Sequence, residues 1–290
     1  MGFRPTHPRV AYRLAGLIWL LVTTSVYGQT ESPREWFPVC VGMDYARVTA
    51  EAPRPLRFHF LRIDLKAPGI SFLSTPKAPD SRAHTVGMLT STFLRTYDLQ
   101  AAINAAPFGP IYKDEGKPVS IVGLTISEGT QVSPPTNLPV LALTRQNEAS
   151  ILEPPFKLDG IYTAVAGFSV VLRDGVVVGK KDALHPRTAA GVSRDGKTLW
   201  LMVVDGRQPG YSEGLTSAEI GAWLLAAGAW NGINLDGGGT SDMVIEDAQR
   251  TPRIMNLPIN GGLPGHERVA GSHLGVRAQR LPDGPRLPIP

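Results

Sequence analysis

Between residues 119 and 205 the chain repeats one pattern, short apolar runs divided by polar turn residues. "IVGLTISEGTQVS" and "LPVLALTRQNEASIL" each fold an apolar run back on another. "FSVVLRDGVVVG" turns at Asp174-Gly175, and "TAAGVSRDGKTLWLMVVDG" turns at Asp195-Gly196. Asp-Gly suits the tight hairpin turn whose two central residues both need positive φ. A chain punctuated this way points to antiparallel hairpins, and 31 Gly with 26 Pro in 290 residues favours a β-rich architecture over a helical bundle.

Flanking segments extend the pattern. "LRFHFLRIDL" (56–65) alternates apolar and polar residues as a strand does, with "GISFLST" as its partner. "TVGMLTSTFLRTYDLQ" carries Val86, Leu89, Phe93, Leu94 and Tyr97 at helical spacing, and "AAINAAPF" returns as a buried strand.

One stretch departs from the hairpins. "LWLMVVD" (199–205) is a near-continuous apolar run, which predicts burial on both faces. A Gly/Pro loop follows, then "TSAEIGAWLLAAG", where Thr216 and Glu219 form a capping box and Gly228 supplies the stop. "GINLD" is a second buried strand. Strand, loop, helix and strand predict a parallel crossover unit, with Asp205 and Asp236 at strand ends on one sheet edge. The expected fold class is therefore α+β: a single domain with a mixed, mostly antiparallel sheet, hairpins, and one parallel strand-helix-strand crossover. Residues 40–278 form that domain, 29–39 lead into it, and 279–290 read as a Pro-rich disordered tail.

The first 28 residues read as a signal peptide. Arg4, Arg9 and Arg13 precede the apolar "LAGLIWLLVTTSV", and a cut fits after Gly28. The alternative is an uncleaved anchor, although the run is shorter than the ~20 residues of a spanning helix. Export to the periplasm or medium is expected. Without these residues the charge falls to 26 basic against 25 acidic side chains, which removes any electrostatic case for nucleic acid. Cys40 is the sole cysteine, so no intrachain disulfide forms; it reads as buried structure in preference to a catalytic thiol.

Asp236 opens "DGGGTS", and Asp205 opens "DGR". Glycine lets backbone N–H groups approach an anion without an intervening Cβ, and Thr240 and Ser241 add hydroxyl donors. The same residues would also serve a plain tight turn. Arg187, Arg207 and Arg268 each sit among turn residues, and guanidinium forks match phosphate oxygens. Together they point to an anionic substrate. No Walker-type or G-x-G-x-x-G pattern supports a nucleotide. A divalent metal on Asp205, Asp236, Asp242 and His185 was weighed, but no ligand spacing supports it, so no cofactor is expected. "GTSDM" is not a serine-hydrolase nucleophile elbow.

"INAAPF", the run from "HPRTAAG" through "LDGGGTSDMV", and "NLPINGGLPGHERVAGSHLGV" occur in that order. Together they resemble the phosphodiester glycosidase family, which includes the uncovering enzyme that releases N-acetylglucosamine from a phosphodiester. The resemblance implies hydrolysis of a sugar-1-phosphodiester, as part of carbohydrate or exopolysaccharide metabolism. Its motif positions fall on Asn104, Arg187, Thr188, Asp205, Gly206, Arg207, Glu213, Asp236, Gly238, Thr240, Ser241, Asn256 and Arg268, with Gly237 added from the loop. The implied division places Asp205, Asp236 and Glu213 as catalytic acids and the remainder around the substrate. Two positions depart from the family pattern: Ala105-Ala106 replace Gly-Gly, and His185 replaces Asn. Two other readings stay open, a non-catalytic envelope protein that binds anionic exopolysaccharide and a hydrolase of ordinary glycosides.

Overall fold

The computed structural model describes residues 1–2, 30, 32–79 and 83–288. The expected signal segment lies, but for its first two residues, outside them.

The centre of the molecule is the strand Thr198–Val204. It pairs with Leu56–Asp64 on one side and Arg187–Val192 on the other, inside an eight-stranded sheet. Six of its seven residues are buried. Alternation divides them between two cores, because successive side chains leave opposite faces of a strand. Leu199, Leu201 and Val203 meet Ile103, Met243 and Leu274 from a five-stranded sheet packed across the inner face. Trp200, Met202 and Val204 meet Ile220, Trp223 and Leu224 of the helix Ser217–Ala227, which covers the outer face. Trp223 lies against Phe58 with ring centroids 4.2 Å apart. The continuous apolar run thus reflects a sheet on one side and a helix on the other.

The parallel crossover does not form, and the α+β expectation is corrected to a mostly β architecture with two α-helices among the described residues. Every strand pairing described is antiparallel. Thr198–Val204 and Asn231–Asn234 are not neighbours. Arg187–Val192 lies between them and pairs antiparallel with both. The order loop, helix, strand cannot reveal that an earlier strand fills the gap. Two strands antiparallel to a shared neighbour run the same way, so their carboxyl ends still share one edge.

The helix is fixed as its sequence requires. Thr216 accepts from the Glu219 backbone N–H, the Glu219 side chain accepts from the Thr216 N–H, and Gly228 closes the end in the left-handed region. Arg54 then grips the Glu219 carboxylate at 2.7 Å.

The C-terminal segment 279–288 packs on the domain where a free tail was expected. Arg280 pairs with Glu246 and Asp98, the Arg286 N–H reaches the Pro38 carbonyl, and Leu287 joins the inner core. No helix among the described residues is long and apolar enough to cross a membrane. Cys40 is buried, and burial pushes its thiol up to about 12, so it is no nucleophile at neutral pH.

Candidate active site

Asp236 leaves the Asn231–Asn234 strand after Leu235, and its backbone is held from two sides. Its N–H donates to the Ala105 carbonyl at 2.8 Å, and its carbonyl accepts from Asn104 Nδ2 at 2.7 Å. Asn104 is fully buried and acts as a clamp. Its Oδ1 also accepts from Thr188 Oγ1 at 2.6 Å and from the Asp242 N–H at 3.2 Å. Asn104, Thr188, Asp236 and Thr240 therefore form one hydrogen-bonded unit. The Asp236 carboxylate lies 2.9 Å from the Thr240 hydroxyl. Burial pushes its pKa from 3.8 up to about 6, against the lowering influence of Thr240, the Gly237 N–H and Arg268.

The glycines after Asp236 make room for arginine. A Cβ on Gly238, whose φ is +69°, would lie 3.1 Å from Arg207 Nη2. A Cβ on Gly239 would lie 2.2 Å from Arg268 Nη2 and 2.3 Å from its Cζ. Two guanidiniums thus rest on the turn backbone. Arg207 meets His185 Nδ1 at 3.2 Å, and Arg268 Nε donates to Asn260 Oδ1 at 3.2 Å. Neither has a carboxylate salt-bridge partner among the described residues. A guanidinium is donor-only, so His185 accepts at Nδ1 and its other nitrogen carries the proton. Burial, with the cations Arg207 and Arg187, holds His185 below its ordinary pKa and therefore neutral at pH 7.

Asp236, Gly237, Gly238, His185, Arg207 and Phe168 line a shared cavity of about 200 Å³. Phe168 is half exposed, a large apolar ring left open beside the carboxylate. Nothing in its local sequence, a strand edge after glycine, singles it out.

The other sequence-predicted residues are placed differently. Arg187 lines this cavity but is engaged: its Nε donates to the Leu215 carbonyl, and its Nη2 reaches Asp182 and the Ala183 carbonyl. Gly206 backs onto Pro186 and Gly214. Glu213 lies half-buried on the loop that returns from Arg207, and its carboxylate makes no hydrogen bond among the described residues. Ser241 is buried with its hydroxyl unpartnered. Ala105 and Ala106, the departure from the family pattern, are fully buried behind the turn, whereas His185 faces the cavity.

Asp205 is not brought into this cavity. Its carboxylate is buried and accepts from the Leu257 N–H at 3.1 Å, Asn256 Nδ2 at 3.0 Å and Tyr211 Oη at 3.3 Å, with His59 Nε2 3.5 Å away. Asn256 in turn donates to the Ser241 carbonyl and accepts from the Met243 N–H. Asp205 therefore ties the 254–257 segment to the end of the central strand. A third acid, Asp242, is fully buried with both carboxyl oxygens lacking a hydrogen-bond partner among the described residues. Burial first, then Glu267 and Asp205, raise its pKa well above the ordinary value. The set weighed for a metal forms no metal-suited group of three among the described residues.

A family model for phosphodiester glycosidases matches residues 97–277, well over half of the chain. Among solved structures, the fold is similar to the zebrafish N-acetylglucosamine-1-phosphodiester α-N-acetylglucosaminidase catalytic domain, auto-inhibited by its pro-peptide. That similarity has a TM-score of 0.60 at 19% identity and covers 87% of each chain. A hypothetical protein from Synechocystis gives a TM-score of 0.58 at 13% identity, over 82% of this chain and 62% of that one. At such identities these likenesses show the fold alone. An uncharacterised SPbeta prophage-derived protein of Bacillus subtilis, YomE, is 42% identical over 62 residues, which span 21% of this chain and only 9% of that relative. The matched residues 97–277 include Asn104, both strand-end acids and all three turn arginines, and on that match the chain belongs to the phosphodiester glycosidase family.

Proposed function

We propose that the protein hydrolyses the bond between a sugar and phosphate in a sugar-1-phosphodiester, with Asp236 at the sugar and Arg207 and Arg268 at the phosphate. The observation that carries this reading is the turn itself. Two guanidiniums without carboxylate partners lie on Gly238 and Gly239, beside a carboxyl group titrating near neutrality. Such cations favour the charge that develops on a departing phosphate.

The reaction breaks the bond from the anomeric carbon to the phosphodiester oxygen. The electron pair leaves with the phosphate, water supplies hydroxyl to the carbon, and a proton completes the phosphomonoester. Asp236, ionised above about pH 6, stabilises positive charge at the anomeric carbon or attacks it. Phe168 offers its ring to a sugar face, and His185 offers an N–H donor. The His185 replacement therefore bears on sugar preference. Glu213, whose carboxylate is uncommitted on the loop carrying Arg207, is the second acid available to water. Arg187 holds its loop through Nε and Nη2 while its Nη1 remains available at the cavity, and Asp205, whose carboxylate oxygens are already engaged, holds the 254–257 segment in place.

The test is hydrolysis of the nitrophenyl phosphodiester of N-acetylglucosamine 1-phosphate in ¹⁸O-water. The expected products are a labelled sugar and an unlabelled phosphomonoester. Label in the phosphate would refute attack at carbon. Saturable binding without product would favour the non-catalytic envelope protein.

A further inference from the structure

A second cavity, of about 510 Å³, shares no lining residue with the one at Asp236. Two adjacent strands of the large sheet supply Arg47, Arg57 and His59, and the segment after Pro252 supplies Arg253 and Asn256. Three guanidiniums therefore surround one concavity with no carboxylate in its lining among the described residues. Arg57 is partly committed, to the exposed Glu51 at 2.9 Å and over the Tyr211 ring at 5.5 Å. Arg47 has no ion pair or hydrogen bond among the described residues, and Arg253 has only the Pro288 carbonyl, at 2.8 Å.

Single surface arginines are ordinarily solvated, but here three converge on one concavity backed by a buried histidine. His59 is 2% exposed and lines the cavity. Its Nδ1 meets Tyr45 Oη at 2.8 Å, while its Nε2 has no hydrogen-bond partner and stands 3.5 Å from Asp205. That nitrogen is turned to the buried Asp205 carboxylate and away from solvent, so His59 walls the cavity without offering it a donor. The remaining wall is apolar or aromatic: Ile254, Met255 and Tyr211. Cations on one side and flat apolar surface on the other suit a sugar ring bearing an anion.

We propose that this cavity binds an acidic sugar unit, carrying a phosphate or a carboxylate, at a position separate from the bond that is cut. The ligand's carbohydrate nature rests on the function proposed above; its negative charge rests on the cavity alone. Asp205, which accepts from Asn256 of this cavity's lining, also acts on the buried Asp242, which feels Arg268 beside the first site. A substrate filling both would be a charged glycan longer than one residue.

The test uses the full chain carrying Arg207→Ala and Arg268→Ala, so that the first site lacks the two guanidiniums proposed to hold phosphate and a failure of the proposed hydrolysis cannot affect the outcome. Glucose 6-phosphate, glucuronate and neutral glucose are titrated by calorimetry. At least one anionic sugar is expected to bind tenfold or more tightly than glucose. That preference should fall at least tenfold on adding Arg47→Ala and Arg253→Ala. Preference for the phosphate or the carboxylate alone would name the anion. Equal binding of all three sugars, or an anion preference that survives the added substitutions, would overturn the proposal.

Discussion

Asp236→Asn separates the cost of the acid from its use. In the folded chain the carboxyl titrates at about 6 where an ordinary aspartate titrates at 3.8. The folded state therefore holds its proton more tightly, and folding is penalised as pH rises from the lower value to the upper. The penalty approaches about 3 kcal/mol above the folded pKa, at ~1.36 kcal/mol per unit. By the same linkage it is only about 1 kcal/mol at pH 4.5. Asparagine carries none of it and can still accept from Thr240, so the variant gains on the wild type by about 2 kcal/mol between pH 4.5 and pH 8. For a chain of this size that is a relative rise in melting temperature of roughly 4–8 °C. Differential scanning calorimetry at the two pH values reads it directly, and turnover on the phosphodiester should fall by several orders of magnitude. If the melting gap between variant and wild type is the same at both pH values, the acid is not perturbed in this way and the reasoning fails.

The wild-type pH profile should rise through about pH 6 as Asp236 ionises, and kcat/KM that stays flat from pH 5 to 8 would count against its role at the sugar. Arg207→Ala and Arg268→Ala should each lower kcat/KM by about 2 kcal/mol or more, roughly thirtyfold, with little change in melting temperature; steady-state kinetics would show otherwise if phosphate binds elsewhere. Phe168→Ala should raise KM by roughly tenfold with kcat nearly unchanged, as loss of uniform binding requires. Thr216→Ala should cost about 1 kcal/mol in urea unfolding through the lost helix cap, without altering catalysis per folded molecule.

The sequence shows most clearly what depends on local chemistry. The capping box at Thr216 and the double burial of residues 199–204 follow from side-chain type and spacing, and both hairpins form, although of the two Asp-Gly turns only Asp174-Gly175 has both residues at positive φ. Strand order was not legible. Nothing between Asp205 and Asp236 signals that the earlier segment Arg187–Val192 enters between the two strands, because that pairing is settled by long-range packing. The Gly-rich turn stood out in the sequence as a candidate site, although the room its glycines leave for two arginines was not legible. Their neighbours, Arg207 and Arg268, lie about thirty residues away in opposite directions along the chain. His59, Tyr211 and Phe168 carry no local signature. They become visible only when strand register brings His59 opposite Val203, and when the loop after Gly206 folds back over Asp205.

The placement of the Thr198–Val204 strand has a consequence for motion. Hydrogen-bonded on both edges and covered on both faces, its amides open only with the whole domain. The loop bearing Arg207 leaves from the end of that strand, and the turn bearing Asp236 leaves from a strand one place away. The proposed catalytic groups are thus mounted on the stiffest part of the molecule. In hydrogen exchange the exposed end of the Arg207 loop should trade its protons quickly and the clamped Asp236 turn more slowly, while the central strand stays dark for as long as the fold lasts.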